Sequence, residues 1–331
     1  MREFSATRYD TMQYRRCGRS GLMLPAISLG SWETFGGYRG EDVARECIFR
    51  AFDLGITHFD LANNYGTPPG NAEIVCGKIF REMPRDELII SSKAGFRMWP
   101  GPYGDNGSRK YLIASCDQSL KRLGVDYVDI FYHHRQDADT PVEETLEALD
   151  QLVRQGKALY AGLSNYDGAH FAEAVRVAER TGLTRITIHQ PYYNMLGRTN
   201  EWDLFPQTQS AGVGCIAFCP LASGLLTDKY LGEAIPDKSR AAERWGKNWL
   251  TGALTPEKRE MLIGLNTLAK HRGQTLAQMA LAWILRLPAI TSALIGASSA
   301  GQIEENVAAL KNLAFSEEEL KRIDQLTKPM P

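Results

Sequence analysis

Eight short apolar runs, each separated from the next by a helix-length amphipathic stretch, constrain this 331-residue chain more than any other feature. They fall at 26–30, 56–61, 88–93, 127–133, 158–163, 185–190, 214–218 and 291–295. Between them, apolar residues recur at three- and four-residue intervals, as at 43–54, 108–123, 141–155 and 168–180. Capping residues precede several of these stretches and glycines follow several. Strand–helix alternation of this kind implies parallel pairing through crossover helices, and eight such units predict an α/β fold, the (β/α)8 or TIM barrel. A turn-rich segment at 16–24 predicts a short N-terminal hairpin. No Pro-, Gly- or Ser-rich linker divides the chain, so residues 1–331 are expected to form a single domain. The long irregular stretch 222–255, after the seventh run, is expected to cover a ligand, because barrel sites are built from the loops that follow strands.

The chief rival is a doubly wound dinucleotide-binding sheet, since Gly212-Val-Gly214-Cys-Ile-Ala217 reads GxGxxA. That fingerprint must follow a strand and open a helix. Here the glycines precede an apolar run, so they read as turn glycines. With 44% hydrophobic and 23% charged residues the chain can build a large core. A net charge of -1 provides no global field for nucleic acid or an anionic membrane surface. The first ten residues are too polar for a signal peptide, which leads to a cytoplasmic expectation. The longest apolar region, 276–295, is interrupted by Gln278, Arg286 and Pro288 and is not expected to span a membrane. Six scattered cysteines without a CxxC pair are expected to be reduced thiols.

Reactive side chains stand at the ends of consecutive runs: Asp60 and Tyr65 after the second, Lys93 after the third and His134 after the fourth. In a barrel those ends converge on one face. Each residue has a plain structural reading, Asp60 with Lys93 as an ion pair, Tyr65 as a core aromatic and His134 as a strand-end histidine. Four in order at successive strand ends favour a site. His133 and His134, with Asp137 and Asp139 nearby, raise a metal site, but adjacent strand residues face opposite sides and no second His or Cys pair completes a ligand set. No metal is expected.

With those residues in that order, the chain resembles the aldo-keto reductase superfamily along nearly its whole length, its Asp, Tyr, Lys and His tetrad matching Asp60, Tyr65, Lys93 and His134. Within it, the run 99–104 followed by 107–112 resembles the bacterial L-glyceraldehyde 3-phosphate reductase branch, with the channel β-subunit branch more distant. The resemblance implies NADPH/NADP as cofactor and reduction of small aldehydes to alcohols. Hydride delivery to a carbonyl carbon leaves negative charge on oxygen, which needs a proton and donors already in place. Tyr65 is the expected acid, Lys93 the cation that favours the phenolate left behind, Asp60 the residue that holds Lys93, and His134 the group that orients the substrate oxygen.

The same resemblance assigns Ser164, Asn165 and Gln190 to the nicotinamide carboxamide, and Phe218 to the face of the nicotinamide ring. Cys219, Pro220, Leu221, Gly224, Leu225, Lys229 and Arg240 match the loop over the pyrophosphate, and Trp32 and Asp60 complete the cofactor set. After the eighth run, Gly296, Ser298, Gln302, Glu305 and Asn306 form a strand, turn and helix start suited to the adenosine end. Many relatives carry Lys-Ser and Arg here, where this chain has Gly296, Ala297 and Gln302. The expected substrate is L-glyceraldehyde 3-phosphate, with methylglyoxal-like aldehydes poorer. Its pocket is expected to use Trp32, Tyr65, Trp99, Arg109 and His134, Arg109 meeting the phosphate. Homo-oligomers are an expectation carried by the resemblance alone. A nucleotide-sensing binding subunit without significant turnover is the rival function; a third, a Schiff-base enzyme using Lys93, is disfavoured.

Overall fold

A computed structural model of the chain describes residues 2–232, 237 and 241–328. Ten strands are present among them: β1 (Tyr14–Arg16), β2 (Met23–Pro25), β3 (Ile27–Gly30), β4 (His58–Asp60), β5 (Ile89–Ala94), β6 (Val128–His133), β7 (Ala158–Ser164), β8 (Ile186–Gln190), β9 (Gly214–Ala217) and β10 (Ile290–Gly296). The last eight close into a barrel, each parallel to its neighbours, with β10 returning to pair with β3. Each of the eight apolar runs overlaps one barrel strand, with ends displaced by a residue or two. The four amphipathic stretches become the helices Glu41–Asp53, Arg109–Leu123, Val142–Arg154 and Gly168–Thr181, whose buried sides pack on the outer face of the sheet.

β1 and β2 form the antiparallel hairpin, and its Cys17, Leu22 and Leu24 cluster with Ile130, Tyr132, Ile188, Ile216 and Leu294. The hairpin therefore adds apolar packing to one side of the barrel interior. Gly18 sits at φ +55°, and a Cβ there would lie 2.2 Å from the Gly212 carbonyl oxygen, so the close approach requires glycine. Gly162 on β7 is bare for a different reason, since a Cβ would stand 2.4 Å from the Tyr132 ring. Gly212 ends the helix Phe205–Ala211 in the left-handed conformation and Gly214 begins β9, so the GxGxxA match is a helix stop followed by a strand.

The stretch 222–255 holds more regular structure than its composition suggests. Short helical turns cover Ala222–Gly224, Asp228–Tyr230 and Ala241–Trp245, and an α-helix covers Gly246–Ala253. Its Glu243 pairs with Arg39 at 2.6 Å and Arg244 reaches Glu33 at 3.8 Å, tying it to the loop after β3. No helix among the described residues is long and apolar enough to cross a membrane.

Three fully buried histidines pack within and around the sheet. Burial pushes His58 and His133 down to about 4 and His189 to about 3. An unfolded histidine titrates near 6.5, so between roughly pH 6.5 and 4 the unfolded chain binds more protons than the native one. This contribution makes stability fall as pH drops through that window. NMR should show the three imidazoles neutral down to pH 5 while the melting temperature declines from pH 6.5. An imidazole of this group titrating near 6.5 would show that its surroundings admit water.

Candidate functional site

Alternation along each strand sends every second side chain inward. On β4 this places His58 and Asp60 inside, and on β5 Ser91 and Lys93. Lys93 Nζ meets Asp60 Oδ2 at 2.5 Å and donates to the Leu61 carbonyl at 2.7 Å. The side chains are 0% and 1% exposed, so this ion pair is removed from water. Asp60 Oδ1 accepts from Ser91 Oγ at 2.6 Å and from Gln190 Nε2 at 3.1 Å. Burial draws the Lys93 ammonium below its ordinary range, with Asp60 opposing that shift.

Above the pair lie Tyr65, in the loop after β4, and His134, just past β6. The Lys93 ammonium stands 5.1 Å from the Tyr65 ring centre, and the Tyr65 and His134 rings meet edge to face at 5.8 Å. Burial, then the Asp60 charge, raises the Tyr65 phenol well above its ordinary value. Burial, then Lys93, His133 and Arg135, depresses His134 far below the ordinary imidazole range, so it is neutral. His133 faces away, with Nδ1 2.7 Å from the Tyr166 hydroxyl.

Tyr65 and His134 open into a cavity of about 610 Å³ that continues across the strand ends. Asp60, Ser164, Asn165 and Gln190 line its floor. Ser164 Oγ donates to the Gln190 carbonyl at 2.8 Å, and Asn165 Nδ2 donates to the His134 carbonyl at 2.9 Å. Gln190 Nε2 is committed to Asp60, so the Asn165 and Gln190 amide oxygens remain as acceptors toward the cavity. Trp32 and Phe218 are on its walls, followed by Cys219, Pro220, Leu221, Gly224 and Lys229. Gly296, Ser298, Gln302, Glu305 and Asn306 line the far end. There Gln302 Oε1 accepts from the Ser298 backbone N–H at 2.9 Å, closing the turn before the helix Ala300–Val307. Asn165, Cys219 and Ser223 on the lining have positive φ without being glycine, a concentration of backbone strain at the cavity.

Two of the residues expected in the substrate pocket, Arg109 and Trp99, are not on the lining of this cavity. Arg109 opens the helix Arg109–Leu123, and its guanidinium donates to Gln151 at 2.8 Å and pairs with Glu147, both on the neighbouring helix Val142–Arg154. This corrects its expected role against a phosphate: two helix-surface partners hold it away from the strand ends. Trp99 packs on Tyr111 with ring centres 5.1 Å apart, and it too lies off the cavity lining. Arg240 lies outside the described residues.

Arg135 is not among the binding residues expected from sequence, although it adjoins His134. Arg135 lines the cavity, with Nε donating to the Gly95 carbonyl at 2.8 Å and Nη2 pairing with Asp105 at 2.9 Å. Its Nη1 makes no hydrogen bond among the described residues. His58 and Ser91 are not among the expected residues either, though each lies two residues before an expected site residue on the same strand, Asp60 and Lys93, and hence on the same face.

The family model "Aldo/keto reductase family" matches residues 26–328. The chain is 55% identical over 324 residues to "L-glyceraldehyde 3-phosphate reductase" of Escherichia coli (strain K12), covering 96% of this chain and 93% of that protein. It is 38% identical over 302 residues to "Probable voltage-gated potassium channel subunit beta" of Arabidopsis thaliana, covering 90% and 91%.

Removing one member of a buried pair leaves the other as an uncompensated charge, at a cost of about 3–5 kcal/mol. Asp60→Ala should therefore lower the unfolding free energy by roughly that amount in urea titration. A loss below about 1 kcal/mol would mean that Lys93 is neutral in the native state.

Proposed function

The chain belongs to the aldo/keto reductase family and is an oxidoreductase, and on that premise we propose that it reduces short phosphorylated aldehydes with NADPH, L-glyceraldehyde 3-phosphate foremost and methylglyoxal-like aldehydes less well. The observation that carries the reading is the convergence of Tyr65, His134 and the Lys93–Asp60 pair at one end of the cavity. The family uses nicotinamide cofactors, and the donor set fits one. Ser164, Asn165 and Gln190 would hold the carboxamide, with the two amide oxygens as acceptors, and Phe218 would lie against the ring. Lys229 suits the pyrophosphate, while Ser298 and Gln302 offer a hydroxyl and an amide donor for a 2′-phosphate. When bound, the cofactor supplies the hydride to the carbonyl carbon.

Tyr65 keeps its proton until that charge develops, because burial raises its phenol. It then passes the proton to the carbonyl oxygen, and the Lys93 cation stabilises the phenolate left behind. Neutral His134 donates a hydrogen bond that orients the same oxygen. Trp32 shields the reacting carbon from water at the cavity mouth.

The phosphate falls to Arg135, the cavity-lining cation next in sequence to His134. Asp105 and the Gly95 carbonyl anchor its Nε and Nη2, which leaves Nη1 for an anion. The 55% identity to a reductase named for L-glyceraldehyde 3-phosphate supports the substrate class.

Two experiments test these assignments. Tyr65→Phe should lower turnover at least about a hundredfold while NADPH affinity, followed by fluorescence, stays within about twofold. Near-native turnover would remove Tyr65 from the chemistry, and no NADPH oxidation by the native protein with any small aldehyde would leave a nucleotide-binding subunit instead. Arg135→Ala should cut kcat/KM for L-glyceraldehyde 3-phosphate roughly tenfold or more, sparing unphosphorylated glyceraldehyde, the scale of one charged hydrogen bond. Equal losses on both substrates would mean that Arg135 shapes the loop without reading the phosphate.

A further inference from the structure

Barrel interiors of this type are ordinarily filled with branched apolar side chains. Here β6, β8 and β9 follow that pattern with Ile130, Ile188 and Ile216, whereas β10, β3, β4 and β5 contribute Ser292, Ser28, His58 and Ser91. All four polar residues are fully buried. They touch in series: Ser292 Oγ to Ser28 Oγ at 2.7 Å, Ser28 Oγ to His58 Nδ1 at 2.9 Å, His58 Nε2 to Ser91 Oγ at 3.0 Å, and Ser91 Oγ to Asp60 Oδ1 at 2.6 Å. Without these contacts each group would carry the cost of an unmade hydrogen bond in a dry interior.

The series has a direction, and its far end sets it. A carboxylate oxygen only accepts, so the single Ser91 proton is committed to Asp60. His58 Nε2 must then donate to Ser91, which in the neutral ring leaves Nδ1 as an acceptor. Ser28 in turn donates to Nδ1, and Ser292 donates to Ser28. Burial keeps the ring neutral, in keeping with this assignment. Four dipoles thus point the same way, and aligned hydrogen bonds of this kind polarise and strengthen one another.

We infer that the Ser292–Ser28–His58–Ser91 series is a positioning device for the reaction, which fixes the rotation of the Asp60 carboxylate so that Oδ1 is held from below and Oδ2 faces Lys93. His58 and Ser91 are positioning residues, since neither lines the cavity. The second hold on Oδ1, from Gln190 Nε2, is longer, at 3.1 Å. Gln190 itself belongs to the cavity floor, so Ser91 supplies the contact that is independent of the ligand. With Ser91 unable to donate, Asp60 turns, Lys93 loses its fixed place beneath Tyr65, and proton donation slows while binding is untouched. The inference rests on the proposed roles of Asp60, Lys93 and Tyr65.

The test uses Ser91→Ala, His58→Leu and the double variant, with Tyr65→Phe as the reference for the underlying roles. Ser91→Ala should lower kcat roughly tenfold, with KM for the aldehyde and NADPH affinity within about twofold. Ser91→Thr, which keeps the hydroxyl, should recover most of the rate. His58→Leu should cost a similar factor, and the double variant no more than the larger single loss, because one series is broken in each case. Native kcat in Ser91→Ala, with Tyr65→Phe inactive, would overturn the positioning role and leave the tetrad intact. An active Tyr65→Phe would instead overturn the roles beneath it. Should His58→Leu fail to fold, Ser91→Ala and its threonine rescue decide the matter alone.

Discussion

The Lys93–Asp60 ion pair, sealed inside the barrel, is the interaction on which the site depends. Two charges taken out of water are retained only where geometry and further hydrogen bonds compensate each of them. Here the Leu61 carbonyl serves Lys93, while Ser91 and Gln190 serve Asp60. Such compensation needs donors and acceptors from β4, β5 and β8 at fixed distances, which a closed parallel sheet provides and an open one would not. The pair in turn gives Tyr65, a phenol made reluctant to ionise by burial, a cation close to its ring.

The interior is divided to serve that pair. One half, with Ile130, Tyr132, Ile188 and Ile216, packs against the N-terminal hairpin through Cys17, Leu22 and Leu24. The other half carries the serine and histidine groups that terminate on Asp60. Apolar packing on one side excludes water, and exclusion of water makes the polar side directional, since each buried group has only its neighbour to bond. Stability and chemistry are therefore settled by the same interior residues.

Charge is distributed by the same economy of partners. Among the described residues, Arg39 pairs with Glu243 and Arg244 with Glu33 at the loops over the barrel, while Arg109 pairs with Glu147 on the helix surface. Arg135 is also paired, through Nη2 with Asp105 and through Nε with the Gly95 carbonyl, but it lines the cavity, and its Nη1 makes no hydrogen bond among the described residues. A formal charge of -1 for the whole chain conceals this local arrangement, which is set by which carboxylates the folded loops bring within reach.

The amino-acid sequence by itself determined the barrel, because hydrophobic period and turn chemistry are local properties. Eight apolar runs appear as eight barrel strands with ends displaced by a residue or two, and even the misleading GxGxxA was resolved by the order of strand and turn. Strand ends in a barrel meet on one face, so Asp60, Tyr65, Lys93 and His134 were candidates for one site from their order, whereas the other cavity residues were legible only through the resemblance to a known family. Helical structure within 222–255 was less legible, because contacts with the loop after β3 help to hold that segment. Tertiary structure alone decided where long side chains point. Arg109 and Arg135 look equally suited to a phosphate in one dimension, yet helix packing gives the first two surface partners and strand closure brings the second to the cavity. The Ser292–Ser28–His58–Ser91 series likewise exists only once β10 closes on β3, since its members come from four strands and bond across the sheet. Period-two alternation marks each as inward-facing, but only the registers of neighbouring strands decide which inward groups touch.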